Sequence, residues 1–565
     1  MTTSCVKNLG GVPNLFINGE PVPGVAYITY FRENNDYAAF GAAGYRLFSI
    51  PVYFGDQTIN PQSKIHPFEP GIFSERGKAD FTILDRQIQQ VLDAVPDAMI
   101  FPRVNMSMPT WWEAENPGEC CFTSLENGPR RSCFSSEKWR ADSEAMLGEF
   151  LDYAENAPYA DHICAYMLSN GSTEEWFGFD WQGSDGPAAR AAFGPGADPS
   201  NPAYRKFLSE SAAGAIARFA RFTKERTRRT KAIGCFYGYT FEVPCWEMNH
   251  HGLRVVLDSP DVDFLCSPDS YRARLTPGIA WPFMLPFASL QAAGKAYFCE
   301  YDTRTFLSKF PAESRENSCE PGTYRQPIWL GPATEELSRW QLQMNMGRQL
   351  ALGHSSWWFD MWGRWYHTPA MMADMKRFRE LVHQSLADTE RGSVADCAVW
   401  IDDAAFAHVG RGEDKNLCRD GRFAALQSGI SFDFYELGDW GKCSANYRAA
   451  VFIVPAETPC MSAVIAECER RGIPHLVLRP GDTPGRDAIR SLAVRAGAHC
   501  YIDSGDAVWV GQHYLVLHAA SSGEKTVRLP RPRRIRPLFP DGEDFTDDVL
   551  SVPMQLAETR VWRLD

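Results

Sequence analysis

Two short stretches set carboxylates where a carboxylate is costly. In Lys295 to Thr305, KAYFCEYDTRT, an apolar run from Ala296 to Cys299 stops at Glu300 and passes into a polar turn with Asp302 and Arg304. In Ser169 to Phe177, SNGSTEEWF, Glu174 and Glu175 follow an apolar run from Ile163 to Leu168. Charge set directly against a buried strand is unfavourable without a partner or a role. Two such carboxyls facing each other, one protonated and one ionised, are what cleavage of a glycosidic bond requires. The acid assists the departing oxygen, and the anion attacks the anomeric carbon or activates water.

The elements that must position these groups alternate along the chain. Strand-like apolar runs are marked by Val25, Tyr45, Met99, Ile163, Ile233, Val262, Ala296 and Ser356. Between them lie helical patterns, such as Leu84, Ile88, Val91, Leu92 and Val95 on one face before Pro96, and a segment opening at Pro202 behind the capping candidates Ser200 and Asn201. Eight strand and helix alternations, closed by a helix from Ala370 to Ser385, predict a (β/α)8 barrel over residues 1–388. Shorter alternations over 389–508 predict a small open α/β domain of flavodoxin-like type, with no glycine-rich phosphate loop after its first strand. Residues 509–565 predict a small antiparallel β-domain, in which PRPRRIRP reads as a solvated edge.

In such a barrel, reactive groups gather at the carboxyl ends of the strands. The residues set just past the apolar runs are Arg32; Arg103 and Asn105; Asn170, Glu174, Glu175 and Trp176; Tyr237 with Glu242; Asp269 and Tyr271; Glu300, Asp302 and Arg304; and Trp358. Thirteen of the 17 tryptophans precede residue 389, several of them at these strand ends. Aromatic faces that stack on sugar rings, beside amides and carboxylates that address hydroxyls, describe a carbohydrate site. The competing reading makes those tryptophans core alone.

The motifs GSTEEWF and CEYDTRT, placed after strands four and seven, resemble the clan of retaining barrel glycosidases with an acid/base after strand four and a nucleophile after strand seven. The three-part layout is similar to the β-galactosidases of glycoside hydrolase family 42 and their relatives. The resemblance implies an exo-acting enzyme with Glu300 as nucleophile, acting by double displacement on a terminal β-linked hexose. β-Galactoside comes first, β-mannoside second. It implies no cofactor, and a middle domain that forms a trimer. The clan sets an asparagine directly before its acid/base, whereas here Thr173 and Glu174 precede Glu175 and the nearest asparagine is Asn170. Glu175 is preferred over Glu174 because Trp176 follows it, and an adjacent indole can desolvate a carboxyl and raise its pKa. Glu174 is then a neighbouring or solvent-facing group. Arg304 or Arg32 is the expected cation keeping Glu300 ionised. Asp302 and Asp269 are expected to accept from sugar hydroxyls. Glu242 is the rival carboxylate, as the base of an inverting hydrolase, and His354 is a weaker contact candidate. A non-catalytic carbohydrate-binding barrel is the alternative from another class.

Bulk properties narrow the field. The chain has 565 residues, 44% of them hydrophobic, and a net charge of -13 from 70 acidic and 57 basic side chains, which disfavours a nucleic-acid partner. No charged leader with an apolar core opens it and no run approaches a membrane span, so a cytoplasmic location is expected. Its 16 cysteines are scattered, and Cys164, Cys235, Cys266 and Cys299 sit inside strand-like runs, as buried free thiols do. Cys120, Cys121 and Cys133 share a loop but form no CxxC pair, so no metal is expected. There is no GxSxG elbow and no HExxH.

Overall fold

The computed structural model describes residues 1–60, 65–123, 131–178, 183–411, 416–483 and 485–565. A small antiparallel sheet of β1 (Ser4–Leu9), β2 (Val12–Ile17) and β3 (Glu20–Pro21) opens the chain. Asn18 and Gly19 join β2 to β3 with φ of 52° and 90°, the left-handed pair that a two-residue hairpin turn demands.

The eight expected strands follow in the expected order: β4 (Val25–Ile28), β5 (Leu47–Tyr53), β6 (Met99–Asn105), β7 (Ala165–Ser169), β8 (Ala232–Phe236), β9 (Phe264–Pro268), β10 (Ala296–Tyr301) and β11 (Ser355–Phe359). They close into a parallel barrel in which β11 pairs with β4. Apart from half-buried Met99, every residue of these strands is buried, and for that reason they read as unbroken apolar runs. Several of the helices between them begin at side-chain caps. Ser136 accepts from the Trp139 amide at 2.9 Å ahead of Glu137–Asn156, and Asn201 from the Ala203 amide at 3.0 Å ahead of Pro202–Arg226.

Aromatic rings fill the barrel interior. Phe298 meets Phe264 at 5.0 Å and Phe101 at 6.1 Å between centroids, and Trp357 meets Phe236 at 5.7 Å. Gly234 makes room for this layer, because a β-carbon there would stand 2.0 Å from the Phe264 ring. The site above therefore has a dry floor.

A four-stranded parallel sheet follows, of β12 (Cys397–Ile401), β13 (Phe432–Glu436), β14 (Ala449–Ile453) and β15 (His475–Leu478), in the order β13-β12-β14-β15. It is the expected open α/β unit. The last sheet is antiparallel, with β16 (Ala507–Val510), β17 (Tyr514–His518), β18 (Gly523–Phe539), β19 (Phe545–Met554) and β20 (Thr559–Leu564) in the order β16-β17-β20-β18-β19. The boundary expected at residue 508 falls inside β16. The basic run lies in β18, an interior strand, and not on the expected edge; Arg531, Arg534 and Arg536 project to solvent. Among the described residues no helix is long and apolar enough to cross a membrane.

Candidate active site

The exit of β7 is held in an unusual backbone shape. Thr173, Glu174 and Trp176 have φ of 55°, 68° and 60°, a region that side chains disfavour and β-branched threonine most of all. Gly171, at φ 79°, comes so close to Phe177 that a β-carbon would stand 2.7 Å from its carbonyl oxygen. Hydrogen bonds fix the loop: the Trp176 amide to the Asn170 carbonyl at 2.6 Å, the Thr173 amide to the Ile59 carbonyl at 3.0 Å, and the Trp176 indole to the Leu168 carbonyl at 3.0 Å. His250 donates from Nε2 to the Glu175 carbonyl at 2.7 Å while its Nδ1 accepts from the Tyr239 amide at 3.2 Å. That arrangement needs a neutral ring, and burial lowers the His250 pKa to about 3. Backbone strain is thus concentrated in one loop and answered there by many hydrogen bonds.

The loop sends its two glutamates to different places. Glu175 lines a cavity of about 310 Å³ and accepts hydroxyl hydrogen bonds from Tyr239 at 2.8 Å and Thr173 at 2.6 Å. Burial pushes its carboxyl up, against these donors. Glu174 turns inward instead, 1% exposed, to the Arg103 guanidinium at 2.8 Å and the Tyr30 hydroxyl at 2.7 Å. It is a deeply buried ion-pair partner, the neighbouring and not the solvent-facing of the two alternatives the sequence left open.

Glu300 reaches the same cavity from β10. Its Oε2 accepts from Arg103 Nη1 and from the Trp357 indole, each at 3.1 Å. Burial first, then the charges of Asp302 and Glu175, raise its carboxyl to about 8, and Arg103 and Trp357 oppose that rise. Arg103 itself lies 4.4 Å over the Phe236 ring, so the cation stands on the aromatic floor. Asp302 and Arg304, from the turn after β10, line the cavity with Tyr271 and Arg274 from the connection after β9. Asp302 takes Arg274 at 2.7 Å on one oxygen and contacts Arg304 with the other. Rings of Tyr30, Phe68, Phe177, Trp329, Phe359 and Trp362 supply much of the remaining wall.

Several expected residues stand elsewhere. The cation at Glu300 is Arg103, because Arg32 pairs with Glu69 at 2.9 Å and Arg304 with Asp302. Trp358 points out of the barrel and donates to the Tyr45 hydroxyl at 3.0 Å; its neighbour Trp357, in register with Glu300, is the one facing in. Trp176 packs against Phe134 and Phe219 behind the loop and does not line the cavity. Asp269 is buried against Arg348 at 2.6 Å and Asn345 at 2.8 Å, outside the cavity. The Tyr237 hydroxyl donates to the Asn249 carbonyl at 2.8 Å, Asn105 accepts from the Ser107 amide at 2.9 Å, and Asn170 from the Gly171 amide at 2.6 Å, and none of the three lines the cavity. His354 contacts the Tyr301 hydroxyl at 2.9 Å, and Glu242 pairs with Arg422 of the α/β domain. Among the described residues no group of three His, Cys, Asp or Glu side chains is placed to hold a metal, and Cys120, Cys121 and Cys133 are buried.

Arg274 and Trp357 do not stand out in the sequence, and the abundance of aromatics at strand ends does not say which rings form the cavity wall. Arg274 carries a signal in retrospect, as a cation in the segment after a barrel strand; Trp329 lies in a long connection with no periodicity.

No protein-family model matches the sequence, and no curated protein matches it. The fold is similar to that of a β-galactosidase from Bacillus circulans sp. alkalophilus, with a TM-score of 0.61 at 12% identity over 96% of this chain and 98% of that one. A β-galactosidase from Rahnella sp. R3 gives 0.60 at 11% identity, covering 100% of both chains. An exo-carrageenase of glycoside hydrolase family 42 from Bacteroides ovatus gives 0.58 at 10% identity, over 99% of this chain and 84% of that one. At such identities the likeness is one of fold. Over nearly its whole length, the chain has family 42 β-galactosidases and related glycosidases as its structural neighbours.

Proposed function

We propose that this protein is a retaining, exo-acting β-glycosidase in which Glu300 is the nucleophile and Glu175 the acid/base. The observation that carries the reading is that the ends of strands four and seven of the barrel, β7 and β10, bring these two buried carboxyls to one aromatic-walled cavity. Closely placed carboxyls titrate as a pair. Arg103 and the Trp357 indole both donate to Glu300, whereas Glu175 meets neutral hydroxyls, so the form of the pair with one proton carries its charge on Glu300 and its proton on Glu175. That is the distribution double displacement starts from: Glu300 attacks the anomeric carbon while Glu175 protonates the departing oxygen, then Glu175 takes a proton from the water that releases the sugar. Glu174 holds Arg103 in place.

A cavity of about 310 Å³ is at the small end of ligand pockets, which suits a terminal sugar rather than the middle of a chain. A β-galactoside is the first expectation and a β-mannoside the second, and the α/β domain at 389–508 is the proposed trimer interface. One observation favours the alternative of a non-catalytic binding barrel: a Glu300 carboxyl raised to about 8 is mostly neutral at pH 7.

A panel of aryl β-glycosides separates the two. The glycosidase reading expects turnover of at least one substrate, lost in Glu300→Gln and lowered about 10²–10⁴-fold in Glu175→Gln. No turnover across the panel, or full turnover in both variants, contradicts it.

A further inference from the structure

The charges around the cavity are unevenly placed. On one side Arg103 serves two carboxylates, Glu174 and Glu300. On the other, one carboxylate serves two guanidiniums: Asp302 lies between Arg274 and Arg304, whose side chains are 4% and 3% exposed. One positive charge is left unbalanced there. Burial disfavours the charge on Arg304, Asp302 opposes this, and Arg274 adds to it. The other close neighbours of the two cations are uncharged: the Asp269 carbonyl at 3.5 Å and the Tyr271 ring at 4.3 Å from Arg274, and the Asp302 carbonyl at 2.9 Å with the rings of Trp329 at 4.9 Å and Trp365 at 5.4 Å from Arg304. Ring faces cover a guanidinium but leave its in-plane donors unanswered, and the Nε of each arginine has no hydrogen-bond partner among the described residues. Both side chains line the cavity, so a bound ligand is within their reach. A sugar hydroxyl answers such donors without answering the charge. An anionic oxygen group answers both, and a guanidinium fork grips it with paired N–H bonds.

We propose that the cavity binds a glycoside carrying an anionic substituent, a carboxylate or a sulfate ester, held by Arg274 and Arg304. This rests on the glycosidase reading and narrows it to acidic sugars.

The test compares aryl β-galactoside, aryl β-galacturonide and aryl 6-sulfo-β-galactoside on the intact protein. The expected result is a kcat/KM at least tenfold higher for one of the charged substrates than for the neutral one. A preference for the uronide identifies the carboxylate, and one for the sulfated sugar identifies the sulfate. In Arg304→Gln and Arg274→Gln that preference should shrink at least tenfold, and Arg304→Lys, which keeps the charge without the fork, should fall between. A wild type that prefers the neutral sugar, or variants that lose all substrates by one common factor, overturns the proposal. Should the arginine variants not fold, the wild-type preference decides alone. If none of the three is cleaved, the galactoside form of the reading fails separately, and the wider aryl panel decides the glycosidase reading itself. Calorimetry with free galacturonate, galactose 6-sulfate and galactose then decides: an acidic sugar bound more tightly than galactose upholds the charged site, and equal or absent binding overturns it.

Discussion

Replacing Glu300 with glutamine should stabilise the protein, and by more as the pH rises. Burial, with the charges of Asp302 and Glu175, moves the carboxyl from its ordinary 4.5 to about 8; because Glu300 and Glu175 titrate as a pair, the folded pair keeps one proton at pH 7 that the unfolded chain has released, whichever of the two carries it. Below pH 4.5 both states are protonated and Glu300 costs nothing; between 4.5 and 8 the wild type loses up to about 1.4 kcal/mol per pH unit; above 8 the loss levels off. Linkage gives about 1 kcal/mol at pH 5 and about 3 kcal/mol at pH 7, a rise of about 2 kcal/mol that glutamine, which does not titrate, escapes. Glu174 remains to pair with Arg103 in the variant, so no cation is orphaned. For a chain of this length the rise corresponds to about 2 °C in the melting temperature. Parallel thermal melts of wild type and Glu300→Gln at pH 5 and pH 7 measure it. A gap that stays constant, or a wild type that gains on the variant as pH rises, refutes the reasoning and leaves both Glu300 and Glu175 ionised in the folded state, with Arg103 and Trp357 outweighing burial.

Other consequences are as specific. Arg103→Met strips the counter-ion from Glu174 and Glu300 and should destabilise the fold by about 3–5 kcal/mol, read from denaturant unfolding, with Glu174→Gln in the same chain recovering part of the loss; no recovery contradicts the pairing. Trp357→Phe removes a donor that favours ionised Glu300, so the acid limb of the kcat/KM profile should move to higher pH, and an unmoved or lowered limb contradicts the contact. Light scattering at micromolar concentration should give a trimer, and a monomer counts against the role proposed for the α/β domain.

Much of the scaffold was legible because buried parallel strands leave unbroken apolar runs, and because Asn201 announces its cap. The same logic found Glu300 and Glu175, charges set where an apolar run stops. It could not tell which strand-end charges face the cavity. Asp269 follows β9 much as Glu300 ends β10, yet it is spent on Arg348 from the helix Glu335–Leu352. Trp357 and Trp358 are consecutive and identical in type, so only the register against β10 shows which one enters the barrel. Arg103 meets Glu300 across 197 positions, a pairing that closure of the barrel creates and no local pattern announces. Arg274 and Trp329 reach the cavity from connections without periodicity, the part of a barrel where sequence pattern says least.

The central claim is that Glu300 forms a covalent bond to the sugar. Incubation with an activated 2-deoxy-2-fluoro β-glycoside of the sugar that the aryl panel selects, followed by peptide mass spectrometry, tests it directly. The account predicts a single fluoroglycosyl adduct, on the peptide containing Glu300 and absent from Glu300→Gln. An adduct on Glu174, Glu175 or Glu242, or steady turnover of the parent glycoside with no adduct formed, would contradict it.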